Sequence, residues 1–324
     1  MIVVFVDDLL TSGHPDTIEK ITEALKEIFV IGAEHINIFR YIGMNITQNQ
    51  DYTINLDQKA YINSVESIPT DGLLNENKED PATPLQTTSL RSLVGKLNWI
   101  LSISRPDIGY DTRYLSTILN NAKIKDIFRA NKTLKKVKSE DVEVKFPSFS
   151  SLNNLSLVVF ADASYGNLPN GNSQAAYIIL LVDDNYSSCP IGWNSFKLKR
   201  VAKSTLSAET LALSEAIDHA QLLSLIYGEV INPKDKKIPI IALSDSKSLV
   251  SAAHTTNLIQ EKRLRIEIAA LRESIENNEV TLKWIDSKHQ ISNCLTKQGA
   301  CNQTLIQVIT SAKCSDEIIS ALEQ

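Results

Sequence analysis

The sequence has no excess of positive charge, no close cysteine pairs and no long apolar run, and each lack excludes something. A net charge of -5 and a pI near 5.6 rule against a surface that grips nucleic acid everywhere, because such domains run strongly basic. Contact with nucleic acid has to come from local patches. The four cysteines, Cys189, Cys294, Cys301 and Cys314, form no C-x-x-C pair and share no metal-ligand spacing with the histidines, so they are expected as reduced thiols of an intracellular protein. No stretch reaches the roughly 18 apolar residues of a membrane helix, and the N-terminus lacks the basic region of a signal peptide. Neither secretion nor membrane insertion is expected, and no internal repeat is visible.

What is present is an ordinary globular composition, 43% hydrophobic and 22% charged, over a length at which a single core usually divides. Met1–Val6 is strand-forming and stops at Asp7-Asp8. Residues 15–31 repeat apolar side chains at helical spacing (Ile18, Ile21, Leu25, Ile28), and short strands follow at 36–47 and 52–56, then a short helix at 57–67. The polar, Pro-containing stretch 69–89 reads as a linker or an exposed loop. Helices resume at Leu90 and continue through Ile108–Leu119 and Ile124–Val137, with seven basic residues between Lys123 and Lys138 opposed by Asp126 alone. That run is either a solvated helix face or a track for phosphates.

After a Pro- and Ser-containing joint at 147–154 the pattern changes. Strands are expected at 155–163, 174–182 and 190–197, a long helix from Thr205 to about Val230, a strand at 238–244, helices at 246–254 and 261–277, a strand at 280–286 and a final helix. Hairpin strands followed by alternating helix and strand predict a mixed sheet covered by helices, of α/β or α+β type.

Three acidic residues fall where such a fold keeps its working groups. Asp162 ends the first of these strands, Glu209 lies one turn into the long helix, and Asp245 closes the fourth strand. Ionised carboxylates beside buried strands are costly unless paired or bound to metal, and strand ends are where open sheets hold ligands. Singly, each aspartate could simply cap the following turn. As a set, they suit hard-cation chemistry on a phosphodiester.

The segments Phe160–Ser164 (FADAS), Ser204–Glu209 (STLSAE), Leu243–Ser248 (LSDSKS) and Gln290–Lys297 (QISNCLTK) resemble the ribonuclease H domain of copia-type long-terminal-repeat retrotransposons. Upstream, Phe5-Val6-Asp7-Asp8 resembles the same family's reverse transcriptase hairpin, and Leu90–Leu115 its helical connection. The resemblance implies a ribonuclease H-like mixed five-stranded sheet with flanking helices, preceded by a truncated reverse transcriptase palm remnant and a helical connection. It divides the chain into 1–85 (palm and thumb remnant), 86–150 (connection), 151–300 (ribonuclease H-like) and 301–324 (helical tail).

It further implies Asp162, Glu209 and Asp245 as ligands of Mg2+, with Mn2+ as a substitute, in a nuclease that hydrolyses RNA within RNA–DNA hybrids. Asn293 stands at the family's fourth carboxylate, and an uncharged amide should hold a second ion more weakly. His289 lies nearby, either as a proton carrier or as a plain surface histidine. Asp7 and Asp8 match the polymerase's paired aspartates, yet its other parts lie before this hairpin, so no polymerisation is expected without an upstream reverse transcriptase region as partner.

Lys197, Lys199, Arg200 and Lys203, with Lys262, Arg263 and Arg265, are the candidates for phosphate contact or for a solvated face. Trp193 and Trp284 read as core rather than stacking platforms. An intracellular location follows: the cytoplasm, the nucleus or a virus-like particle. The alternative is a domesticated remnant that keeps the fold and binds nucleic acid without cutting.

Overall fold

The computed structural model describes residues 1–231, 237–255 and 259–323. Its first element is a hairpin of β1 (Ile2–Phe5) and β2 (Asp8–Thr11), which pair only with each other. Helix α1 (Pro15–Ile28) starts on a proline at its first turn, where the missing N–H costs nothing. Its apolar face is not covered by the described residues: Ile18, Ile21 and Leu25 are half-buried and Ile28 is 74% exposed. Strands β3 (Ile38–Tyr41), β4 (Met44–Gln48) and β5 (Ile54–Asp57) form an antiparallel meander. The β3–β4 turn has positive φ at both Ile42 and Gly43, the backbone that suits a two-residue hairpin. A fourth strand, β6 (Val144–Phe146), joins β5 from far downstream, so residues on either side of position 86 share one sheet.

Between β5 and β6 lie four helices: α2 (Lys59–Ser64), α3 (Pro84–Ile103), α4 (Gly109–Ile118) and α5 (Ile124–Ser139). Leu90, Leu93, Leu97, Ile100 and Leu101 of α3 are buried against Ile127 and Leu134 of α5, as their spacing predicts. The helix begins six residues earlier than Leu90, inside the stretch read as linker or exposed loop. Thr83 caps it, its Oγ1 accepting from the Gln86 backbone N–H at 3.3 Å while its own N–H donates to Gln86 Oε1 at 2.7 Å. This reciprocal capping box and Pro84 at the first turn outweigh the weak helix propensity of Thr87, Thr88 and Ser89.

The third unit is a five-stranded mixed sheet of order β11-β10-β7-β8-β9. It comprises β7 (Ser156–Ser164), β8 (Gln174–Val182), β9 (Ser188–Lys197), β10 (Ile240–Ser244) and β11 (Val280–Trp284). Strands β7, β8 and β9 are antiparallel neighbours, whereas β10 runs parallel to both β7 and β11. Such a sheet must be covered on both faces, which explains the nearly unbroken apolar runs in β7 and β8.

Helices α6 (Thr205–Ile231), α7 (Lys247–His254) and α8 (Lys262–Glu276) cover one face, where Leu157, Val159 and Ile179 meet Leu213, Leu249 and Ile268. The other face is closed by α9 (Gln303–Ser311) and α10 (Asp316–Glu323). Leu305, Val308, Ile309 and Ile318 pack there onto Val158, Phe160, Ile178 and Leu180. Residues 303–323 are thus part of the sheet's own core, not an appendage to it. The four cysteines form no disulfide, and three of them are buried.

Candidate metal centre

Because β7 and β10 are adjacent and parallel, their C-terminal ends lie side by side, and each carries an aspartate. Asp162 is fully buried near the end of β7, and Asp245 follows β10 directly and is half-buried. Glu209, 7% exposed on the first turns of α6, completes a group of three carboxylates whose oxygens all lie within 4.8 Å of one another. Among the described residues this is the one group of three or more ligand-type side chains so placed.

The surrounding chain orients each carboxylate. Thr296 Oγ1 donates to Asp162 Oδ2, and Lys297 Nζ donates to Asp162 Oδ1 at 3.1 Å. The Ala163 N–H donates to Glu209 Oε2 at 3.2 Å, tying the helix to the strand end. Ser287 Oγ donates to Asp245 Oδ2 at 2.6 Å, and the Asp245 carbonyl accepts from Trp284 Nε1 at 3.2 Å. Gln290 is buried, and its amide donates to the carbonyls of Ala161 at 3.1 Å and Leu243 at 3.2 Å, clamping the two strand ends together.

Three negative charges so close together, two of them buried, disfavour full ionisation. Burial, then Asp162 and Asp245, push Glu209 up to about 9. Burial also raises Asp162, against the opposing pull of Lys297 and Thr296. A hard divalent cation would supply the missing positive charge, and the donor set, all carboxylate oxygen, fits Mg2+ or Mn2+ rather than a thiolate- or imidazole-seeking metal.

Asn293 sits in the turn Ile291–Leu295 beside this cluster. Its Nδ2 donates to the Ser287 carbonyl at 2.8 Å, and its Oδ1 accepts from Lys297 Nζ at 2.5 Å. Gln290, Thr296 and Lys297 belong to the site although only Asn293 of this segment stands out in the sequence. The signal was a glutamine, a threonine and a lysine around Asn293, at spacings that only a turned segment brings to one point.

The other candidates are spread wider. Asp7 and Asp8 are exposed at the tip of the β1–β2 hairpin, and no third ligand-type residue joins them among the described residues. Lys197 at the end of β9, and Lys199 and Lys203 between β9 and α6, are exposed, as are Lys262 and Arg263 at the start of α8. Arg200 pairs with Glu267 of α8, which draws the two basic groups toward each other. Arg265 is half-buried and its guanidinium donates to the Ile259 carbonyl, so it serves the backbone. Trp193 donates to the Leu101 carbonyl at 2.7 Å and packs between the helical unit and the sheet. Trp284 lies against the Asp245 turn with Lys247 Nζ 4.7 Å from its ring centre.

No family model matches the chain. A transposon Ty5-1 protein of Saccharomyces cerevisiae is 28% identical over 233 residues, which are 67% of this chain and 72% of the yeast protein. The Transposon Ty1-DR1 Gag-Pol polyprotein of the same organism is 34% identical over 148 residues, 44% of this chain but 8% of the polyprotein. The foamy viral protease-reverse transcriptase, solved in complex with RNA/DNA hybrid, superposes on 88% of this chain and 36% of its own, with a TM-score of 0.50 at 15% identity. Sheet order, flanking helices and this likeness of fold define the class, a ribonuclease H-like domain within a reverse transcriptase/ribonuclease H-related chain. In sequence the chain is similar to the Pol sequences of Ty1/copia-type retrotransposons.

Proposed function

We propose that the chain is a divalent-metal-dependent nuclease that hydrolyses the RNA strand of RNA–DNA hybrids. The observation that carries this reading is the convergence of Asp162, Glu209 and Asp245 within 4.8 Å at paired strand ends. These three residues would hold Mg2+, or Mn2+ in its place. Such an ion would neutralise charge at the scissile phosphate and make the attacking water easier to deprotonate. The chain itself contributes orientation: Thr296 and Ala163 hold Asp162 and Glu209 in place through hydrogen bonds, and Ser287 does the same for Asp245.

An RNA–DNA hybrid as substrate is supported by the foamy viral relative in fold, which was solved on one. Lys197, Lys199, Lys203, Lys262 and Arg263 are exposed and would meet backbone phosphates, a sequence-independent contact. In this reading residues 151–300 are the nuclease, closed by 301–324. Residues 1–85 and 86–150 are palm and connection regions of a reverse transcriptase whose polymerase activity belongs to a longer polyprotein. The protein acts inside the cell, and no helix among the described residues is long and apolar enough to cross a membrane.

A labelled RNA–DNA hybrid incubated with the purified chain and Mg2+ or Mn2+ tests this. Cleavage of the RNA strand is expected, and Asp162→Asn or Glu209→Gln should abolish it. Asn293 favours a second reading, a chain that binds hybrid without cutting. Wild-type protein that retains hybrid in a gel shift yet forms no product with either metal would establish that reading and overturn the nuclease.

A further inference from the structure

We propose that the Lys297 ammonium takes the place of a second divalent cation, so that the centre works with one metal ion and one built-in lysine. This rests on the nuclease reading above and specifies its charge-bearing parts. The ammonium lies between Asp162 Oδ1 at 3.1 Å and Asn293 Oδ1 at 2.5 Å, a position where a cation bridging those two oxygens would sit. Hydrogen bonds from an ammonium are short and strong because the donor is charged, and an ammonium needs no balancing charge from Asn293. A divalent ion there would.

Asn293 is arranged for this role. Its Nδ2 is engaged by the Ser287 carbonyl at 2.8 Å, which leaves the carbonyl oxygen of the amide turned to the lysine. Residues four apart in a helical turn lie on one face, and the Lys297 backbone N–H donates to the Asn293 carbonyl at 3.1 Å, closing that turn. The lysine therefore reaches Asp162 from a short, fixed segment.

Charge balance agrees. Three carboxylates are neutralised by one divalent ion and one ammonium. A second divalent ion would leave the centre positive and would be repelled by the adjacent lysine. Two-metal sites hold their ions roughly 3.5–4 Å apart, too close to coexist with an ammonium on the shared carboxylate. Replacing Asn293 by aspartate and removing the lysine together restore the balance for two divalent ions.

The full chain is titrated with Mg2+ by calorimetry and with Mn2+ by electron paramagnetic resonance, and Asp245→Asn marks the ions that belong to this centre. Wild type is expected to bind one such ion per chain, and Asn293→Asp/Lys297→Met two. Lys297 is 43% exposed, so its loss should leave the fold intact, checked by thermal melting. Asn293→Asp/Lys297→Gln serves if the first pair misfolds. Two ions in wild type, or one ion in both proteins, would overturn the lysine's role and leave the nuclease reading standing. Absence of any ion sensitive to Asp245→Asn would overturn both.

Discussion

Arg105 has the largest fully buried side chain, a position no guanidinium occupies without compensation. It donates to both oxygens of Asp107 at 2.7 and 3.0 Å, to Glu140 Oε2 at 2.6 Å, and to the Val137 and Glu140 carbonyls. Asp107, itself shielded from solvent, also pairs with Lys136 at 3.0 Å and accepts from Asn302 at 3.3 Å, which ties the segment before α9 to the helical unit. Arg105→Met should cost about 3–5 kcal/mol in urea unfolding, because it strips a buried carboxylate of its main partner. A loss below about 1 kcal/mol would contradict this account.

Burial pushes Asp107 up, but Arg105 and then Lys136 outweigh it and hold the carboxyl below its ordinary value. A depressed carboxylate contributes stability that is complete above the unfolded value near 4 and is lost as pH falls through the folded one. The urea midpoint of wild type should therefore drop on acidification below about pH 4, and Asp107→Asn should flatten that drop.

At the scale of elements, the helical unit meets the sheet where side chains are smallest. A Cβ added to Gly109, the first residue of α4, would lie 3.0 Å from Leu295 Cγ and 3.2 Å from Ser195 Cβ. Ser195 belongs to β9, and Leu295 to the same short turn as Asn293. Gly109→Val is expected to lower stability by about 1–3 kcal/mol, the usual cost of overpacking, and, under the proposed nuclease function, to reduce hybrid cleavage by displacing that turn. An unchanged melting temperature would show that α4 can back away. Trp193 makes the second tie: its indole N–H satisfies the last turn of α3 at Leu101, which accounts for a tryptophan in a strand that needs both an apolar body and a donor.

Across the whole molecule, burial rises from the N-terminal hairpin to the five-stranded sheet. All four residues of β1 are exposed, α1 buries none, and every residue of β8 is buried. A lone two-stranded hairpin is marginal in water, so amide hydrogens of residues 2–11 should exchange far faster than those of β7 and β8. Equal protection in both regions would mean that something covers the hairpin in solution.

Much of this was legible beforehand, and the failures have physical causes. The strands from β7 to β11 and helix α6 announced themselves through apolar runs and turn residues, and Asp162, Glu209 and Asp245 stood at recognisable ends of those elements. The start of α3 was hidden because a capping box works through two side-chain hydrogen bonds in a segment whose composition reads as loop. The apolar stripe of α1 was legible as a stripe, but periodicity reports which face is apolar and not whether anything packs on it.

Local order decided most of the strands and helices of the five-stranded unit, because backbone propensity and apolar spacing act over a few neighbours. Tertiary structure decided the rest: that β6 completes the sheet of β3 to β5, that residues 303–323 seal the second face of the large sheet, and that Lys297 lies between Asp162 and Asn293. The β5–β6 pairing, the seal made by residues 303–323 and the contact of Lys297 with Asp162 join positions far apart in the chain, and only the tertiary fold brings them together.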